Sequence, residues 1–307
     1  RIAVFTSTGG LTASFGGRLG DHEDGDKVST STLRLSEPSG VAVDAAGDVF
    51  VADTNHHRVL KLSPAGQVLL DLGRRETGRD GGEGKTEFDL GRGPGEFNHP
   101  EGVAVDAAGR LYVADTDNGR VQVFTSTGGL AAQFDLPALP PPQAVAPGDE
   151  DREPREKGAD ESPSRGRPVG IALDAAGNIY VADSAGHRAL RFDPSGHLTL
   201  AIPIPGDKPG QTGRPYGVAV SAGGECLLVS DQRFGHVLKF DALGAQNLSF
   251  GVKERGVDGK PKPGGIPLRK PAGLALDASG SLFVVDRNAE KIEKFGLPNG
   301  QATVVVP

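Results

Sequence analysis

One pattern recurs five times in 307 residues, and it limits the folds open to this chain more than any other feature. The copies are EPSGVAVDAAGDVFVADTNHHRVLKL from Glu37, HPEGVAVDAAGRLYVADTDNGRVQVF from His99, RPVGIALDAAGNIYVADSAGHRALRF from Arg167, RPYGVAVSAGGECLLVSDQRFGHVLKF from Arg214 and KPAGLALDASGSLFVVDRNAEKIEKF from Lys270. Each carries Pro-x-Gly near its start, at Pro38, Pro100, Pro168, Pro215 and Pro271. Each ends a second apolar run on an Asp, at Asp53, Asp115, Asp183, Asp231 and Asp286. The Pro-to-Asp distance is 15 residues in four copies and 16 in the fourth, while the spacing between copies varies widely. Constant inner and variable outer spacing describe one structural unit joined to its copies by loops.

Inside a unit the apolar residues alternate with period two. Val41 and Val43, then Val49 and Val51, flank a DAAG turn, and Val59 and the run Val68 to Leu70 give two more short strands around SPAG. Gly, Asp and Pro stand where hairpin turns need them. Each unit is therefore expected to be a four-stranded antiparallel meander, with strands a, b, c and d. The 46 Gly and 23 Pro make up over a fifth of the chain and suit turns rather than helices. A unit this small cannot bury both sheet faces alone, so the units must pack face to face, as in a β-propeller. Residues 1–16, RIAVFTSTGGLTASFG, match RVQVFTSTGGLAAQFD of residues 120–135 and read as strands c and d of one more blade. The fold expected is all-β: a six-bladed β-propeller of four-stranded antiparallel blades, of which the chain holds five full blades plus half of a sixth. On this reading residues 1–307 are a single propeller domain and a fragment, whose missing a and b strands precede Arg1 or follow Pro307.

The repeat also carries a family resemblance. The pattern P-x-G-[VIL]-A-[VL]-D-x-x-G-x-[VLI]-[FY]-V-[AV]-D-x-x-x-x-R resembles the NHL-repeat family of propellers, with ADTNHHRVLKL at residues 52–62 as the fullest match. It covers the five units and the half unit and leaves out the segments between them. The fourth unit departs from it: Ser221 replaces the turn Asp, one residue is added near Cys226, and His236 replaces the Arg; the fifth unit has Lys291 at that place. The resemblance implies a non-catalytic recognition scaffold that binds a protein or a small ligand, akin to interaction and sensor domains. Two alternatives follow from other members. One is a metalloenzyme similar to peptidyl-hydroxyglycine amidating lyases, which hold zinc by His near the central channel. The other is a propeller that binds RNA through a basic face.

Strand connectivity places any such face. The a–b and c–d turns fall at one end of a blade, and the b–c and d–a′ connections fall at the other. The turns are short and uniform, whereas the d–a′ connections, at residues 74–97, 136–166, 203–214 and 252–270, are long and irregular. Variable loops on a rigid frame are the usual seat of recognition. The Pro-rich, charged insert 136–166 has an extended PPP run and few apolar anchors, so it reads as a solvated spacer or a docking segment. Gly84-Lys85-Thr86 resembles the end of a phosphate loop, but Arg79 stands where the motif needs Gly.

Several side chains are candidates at that end. Asp53 with Arg58, Asp115 with Arg120, Asp183 with Arg188 and Asp286 with Lys291 are expected to be structural ion pairs that set the b–c loops, the Arg also lining the channel mouth. Arg1 takes the place of those Arg in the half blade. His57, His187 and His236 are candidate binding residues, but strand parity turns His236 away from the other two, against a shared zinc site. Glu101 and Tyr216, the middle residues of their Pro-x-Gly motifs, stand near the channel entrance. No catalytic residue, metal or cofactor is expected: G-x-S-x-G is absent, and the one Cys, Cys226, opens an apolar run that reads as core. A net charge of −7, from 33 basic and 40 acidic residues, weighs against nucleic acid as partner. No apolar run reaches the roughly 18 residues of a membrane span. The Ala-, Gly-, Pro- and Arg-rich composition points to a bacterial source, and the scaffold reading to an extracellular or periplasmic domain.

Overall fold

The computed structural model describes residues 1–6, 10–16, 33–73, 91–139, 165–206, 211–251 and 268–296, together with the backbone of 301–306. Most of the insert 136–166 and the Gly84-Lys85-Thr86 segment lie outside the described residues. The chain divides into two compact units, Arg1–Phe134 and Asp135–Pro307.

The first unit begins with a two-stranded hairpin, β1 (Ile2–Phe5) and β2 (Leu11–Phe15). Its first full blade is β3 (Pro38–Val43), β4 (Val49–Asp53), β5 (Arg58–Leu62) and β6 (Val68–Leu72). Its second is β7 (Pro100–Val105), β8 (Leu111–Asp115), β9 (Arg120–Phe124) and β10 (Leu130–Asp135). The second unit holds three blades: β11 (Pro168–Leu173), β12 (Ile179–Asp183), β13 (Arg188–Phe192) and β14 (Leu198–Pro203); β15 (Pro215–Val220), β16 (Cys226–Asp231), β17 (His236–Asp241) and β18 (Gln246–Phe250); and β19 (Pro271–Leu276), β20 (Ser281–Asp286), β21 (Lys291–Gly296) and β22 (Gln301–Val306). All five repeats are four-stranded antiparallel meanders, and residues 1–16 pair as a third and fourth strand. The chain is thus an all-β propeller of four-stranded blades with a partial further blade.

Local chemistry sets these hairpins. In the DAAG turn the Asp44 side chain accepts the N–H of Ala46 and of Asp48, at 3.0 and 2.9 Å, and Gly47 takes a φ of 84° that a side chain would resist. Asp106, Asp193, Asp241 and Asp277 accept backbone N–H groups in the same way. In the fourth repeat Ser221 Oγ substitutes, taking the Cys226 N–H at 3.1 Å, so the hairpin survives the lost carboxylate.

Within each unit the blades pack face to face. Phe50 and Ala52 of β4 meet Val103 of β7, and Tyr180 and Ala182 of β12 meet Val218 of β15. Leu228 of β16 packs near Leu274 and Leu276 of β19. The Gly of Pro-x-Gly exists for this convergence. A Cβ on Gly40 would stand 2.2 Å from the Glu101 carbonyl oxygen; on Gly170, 2.3 Å from that of Tyr216; on Gly217, 2.1 Å from that of Ala272. The first strands β3, β11 and β15 therefore rest on the backbone of the next, which no side chain would permit.

Candidate functional site

The five repeat Asp side chains are fully buried at the loop ends of their blades. A buried carboxylate must find donors or be destabilised; all five find them in the connection that leads into their blade, and those of the first four blades find them in their own b–c loop as well. Asp53 accepts the Ser36 N–H at 2.6 Å, His56 Nδ1 at 2.8 Å and Arg58 Nε at 2.8 Å. Asp115 accepts the Asn98 N–H at 2.8 Å, the Asn118 amide at 2.9 and 3.1 Å, Arg120 Nε at 2.7 Å and the Gln122 amide at 3.0 Å. Asp183 accepts the Arg167 and Gly186 N–H groups and Arg188 Nε, at 2.8, 2.9 and 2.8 Å. The carboxylate is a latch between loop and incoming connection.

The guanidinium groups complete the latch. Arg58 Nη2 donates to the Arg34 carbonyl at 2.9 Å. Arg120 Nη2 donates to the carbonyls of Gly93 and Glu96, at 2.7 and 3.0 Å. Arg188 Nη2 donates to the Pro137 carbonyl at 2.7 Å. Arg58, Arg120 and Arg188 thus hold the ends of the long connections, and their side chains are only 7–15% exposed. Asp–Arg pairing was legible in the sequence; the second half of each fork was not, because its acceptors lie in connections of unequal length.

The last two blades vary the latch. His236 occupies the Arg position opposite Asp231 in the strand register, with Nε2 at 3.0 Å from the carboxylate. Burial raises the Asp231 pKa, but His236 and the N–H groups of Arg214 and Arg233 outweigh it and hold the group below the usual carboxylate value. At Asp115 burial wins over the same kinds of partner, and its pKa is raised. In the fifth blade the structure corrects the expected pair. Asp286 accepts the Arg269 and Lys270 N–H groups, at 2.7 and 2.9 Å, while Lys291 Nζ pairs with the buried Glu293. A carboxylate two residues along the same strand, on the same face as Lys291, captures the ammonium that sequence spacing assigned to Asp286.

The candidate His residues have local partners. His57 sits in a left-handed turn at φ 51°; its Nδ1 accepts the His99 N–H at 3.1 Å, and the two rings meet edge to face at 4.3 Å. His187, at φ 52°, bonds the Gly213 carbonyl through Nδ1 at 2.8 Å. These two close turns rather than continue strands, so the parity argument applies to His236 alone. A zinc site of the lyase type is not formed by the residues described: no three His, Cys, Asp or Glu side chains among them come together around one point. Glu101 and Tyr216 are half-buried on the first strands β7 and β15, and their carbonyls face the preceding blade's Gly. Cys226 is half-buried, and burial pushes its thiol pKa up, away from the reactive thiolate. No helix among the described residues is long and apolar enough to cross a membrane.

Known proteins share this architecture. The family model described as "NHL repeat" matches residues 35–62, 97–124 and 166–192. Human "NHL repeat-containing protein 3" is 32% identical over 105 residues, which cover 33% of this chain and 26% of that protein. "Peptidyl-glycine alpha-amidating monooxygenase B" of Xenopus laevis is 27% identical over 226 residues, covering 72% of this chain and 22% of that protein. The matches therefore span about a quarter of the length of these two relatives. Among solved structures, a streptogramin B lyase superposes with a TM-score of 0.56 at 13% identity, covering 89% of this chain and 70% of that one.

Proposed function

Since the chain is an NHL-repeat β-propeller, we propose that it is a non-catalytic recognition scaffold, binding a protein or small ligand through the face that carries the long inter-blade connections. One observation carries this reading. The buried Asp carboxylates fasten the ends of those connections to the blades, at Ser36, Asn98, Arg167, Arg214 and Lys270. Loops that vary in sequence while their ends are held rigidly are suited to presenting different surfaces from one frame. The opposite end has short Asp-Gly turns closed on themselves, with little to distinguish one blade from the next.

The lyase reading has support in the relative from Xenopus laevis, whose match runs over most of this chain. It needs converging His residues. His57, His187 and His236 each serve a local contact here, and His236 fills a structural place that Arg holds in three other blades. The scaffold reading is tested by replacing each long connection with a short Gly-Ser turn and comparing the partners recovered by affinity capture. Loss of partners with one or more connections is expected. Full retention by every trimmed variant would overturn it.

A further inference from the structure

In the Asp135–Pro307 unit the residue before each repeat Pro is basic: Arg167, Arg214 and Lys270. In the Arg1–Phe134 unit the same places hold Glu37 and His99. The b–c loops of the second unit add Arg233 and Arg287, and Arg269 precedes Lys270. The Asp latch fixes the backbone of this set. Arg167 N–H bonds Asp183 at 2.8 Å; Arg214 and Arg233 N–H groups bond Asp231 at 2.9 and 2.8 Å; Arg269 and Lys270 N–H groups bond Asp286 at 2.7 and 2.9 Å. Arg287 N–H bonds the Lys270 carbonyl at 3.1 Å. The carboxylates are thus engaged inward, while the side chains of Arg214, Arg269 and Arg287 are exposed.

The set is also contiguous. The first strands of the three blades lie against one another, with the Gly170 Cβ position 2.3 Å from the Tyr216 carbonyl and that of Gly217 2.1 Å from the Ala272 carbonyl. The basic residues that lead into these strands therefore share one rim. Against them, the exposed carboxylates described at this end of the unit are Asp135, 4.0 Å from Arg165, and Glu290. Six cations stand on this rim, the side chains of Arg214, Arg269 and Arg287 exposed, and among the described residues few acids stand beside them.

We propose that this basic arc docks an acidic polypeptide segment, rich in Asp and Glu, of a partner protein. The inference rests on the scaffold reading and gives its partner a chemistry. Guanidinium forks match carboxylates in two-point geometry. A nucleic-acid strand fits less well. A net charge of −7 opposes a long polyanion. The half-buried Phe234, which base stacking would need uncovered, lies beneath the Arg233 guanidinium, 5.5 Å from ring centre.

The test uses the full chain, a labelled oligo-glutamate peptide and a single-stranded RNA of equal charge, with binding read by fluorescence anisotropy at low and near-physiological salt. The variant carries Arg214→Glu, Arg269→Glu and Arg287→Glu, whose side chains are exposed. Peptide affinity is expected to fall at least about tenfold in the variant, with its thermal midpoint unchanged. If the midpoint falls, the Arg→Gln versions of the same sites replace it, with a smaller loss expected. The inference is overturned by equal peptide binding in variant and parent, by no peptide binding at all, or by RNA binding more tightly than peptide. If trimming the connections still removes captured partners while charge reversal leaves peptide binding unaltered, the scaffold reading stands and this inference falls.

Discussion

The Gly of Pro-x-Gly offers one substitution with opposite outcomes at equivalent positions. At Gly217 an added Cβ would stand 2.1 Å from the Ala272 carbonyl oxygen, over an ångström inside ordinary contact. The obstacle is backbone of the neighbouring first strand, so no rotamer relieves it. One strand must move, and with it the packing of Val218 against Tyr180 and Ala182. Overpacking of this kind costs about 2–4 kcal/mol at a rigid site. At Gly273, the same place in the fifth blade, the nearest atom to the added Cβ is Val285 Cγ2 at 3.7 Å. The backbone of neither Gly is in the left-handed region, so Gly273→Ala should be neutral, or stabilise by up to about 1 kcal/mol through a less flexible unfolded chain. In a unit of this size each kcal/mol moves the midpoint by roughly 2–4 °C. Thermal unfolding followed by circular dichroism should therefore place Gly217→Ala about 5–15 °C below the parent, and Gly273→Ala at or slightly above it. Equal shifts for the two variants would refute the reasoning that this Gly exists to let neighbouring backbones touch.

Other expectations follow from the latch and its charges. Asp115→Asn leaves the buried Arg120 without its anion, and should cost about 3–5 kcal/mol in denaturant unfolding; a loss under about 1 kcal/mol would contradict the latch. Asp44, Asp106 and Asp231 have pKa values held below the unfolded carboxylate value, so each stabilises the fold above about pH 4, and that share is lost as pH falls through the lowered values. The melting temperature should drop on acidification below that point, and less steeply in Asp231→Asn than in the parent. Asp115, whose pKa is raised, runs the other way: its contribution is greatest below the unfolded value and declines as pH rises through the folded one. Zinc titrated into the purified protein should bind with no stoichiometric site that depends on His57 or His187; about one equivalent lost on His57→Ala or His187→Ala would favour the lyase reading instead.

Much of the fold was legible because its signals are local. The Pro-to-Asp spacing, the Asp-x-x-Gly turns and the alternation of Val41, Val43, Val49 and Val51 all lie within one unit, so hairpin pairing could be read directly. The likeness of residues 1–16 to 120–135 gave the pairing of β1 with β2 for the same reason. What escaped reading lies between units. The donors Ser36, Asn98, Arg167 and Arg214 sit in connections of different length, and only the folded chain brings them onto the buried carboxylates. Phe97 and Leu268 pack against Gly73 and Gly251, whose φ values of 91° and 85° let the chain leave its fourth strand. The apolar residue three places before the Pro, at Leu35, Phe97 and Leu268, was a signal that could have found them. At Lys291 spacing misled, since the buried Glu293 competes for the ammonium and spacing alone does not rank two carboxylates. The basic rim was also missed: its residues come from three different repeats and belong together only when the blades stack.

The claim that recognition belongs to the loop ends is tested most directly by site-specific photo-crosslinking. A crosslinking residue is placed at Asn55, Arg214 or Arg287 on the loop ends, and at Ala46, Ser195 or Leu243 on the short turns, all exposed positions. The account predicts partner adducts from the loop-end set and none from the turn set. Adducts confined to the short turns would contradict it.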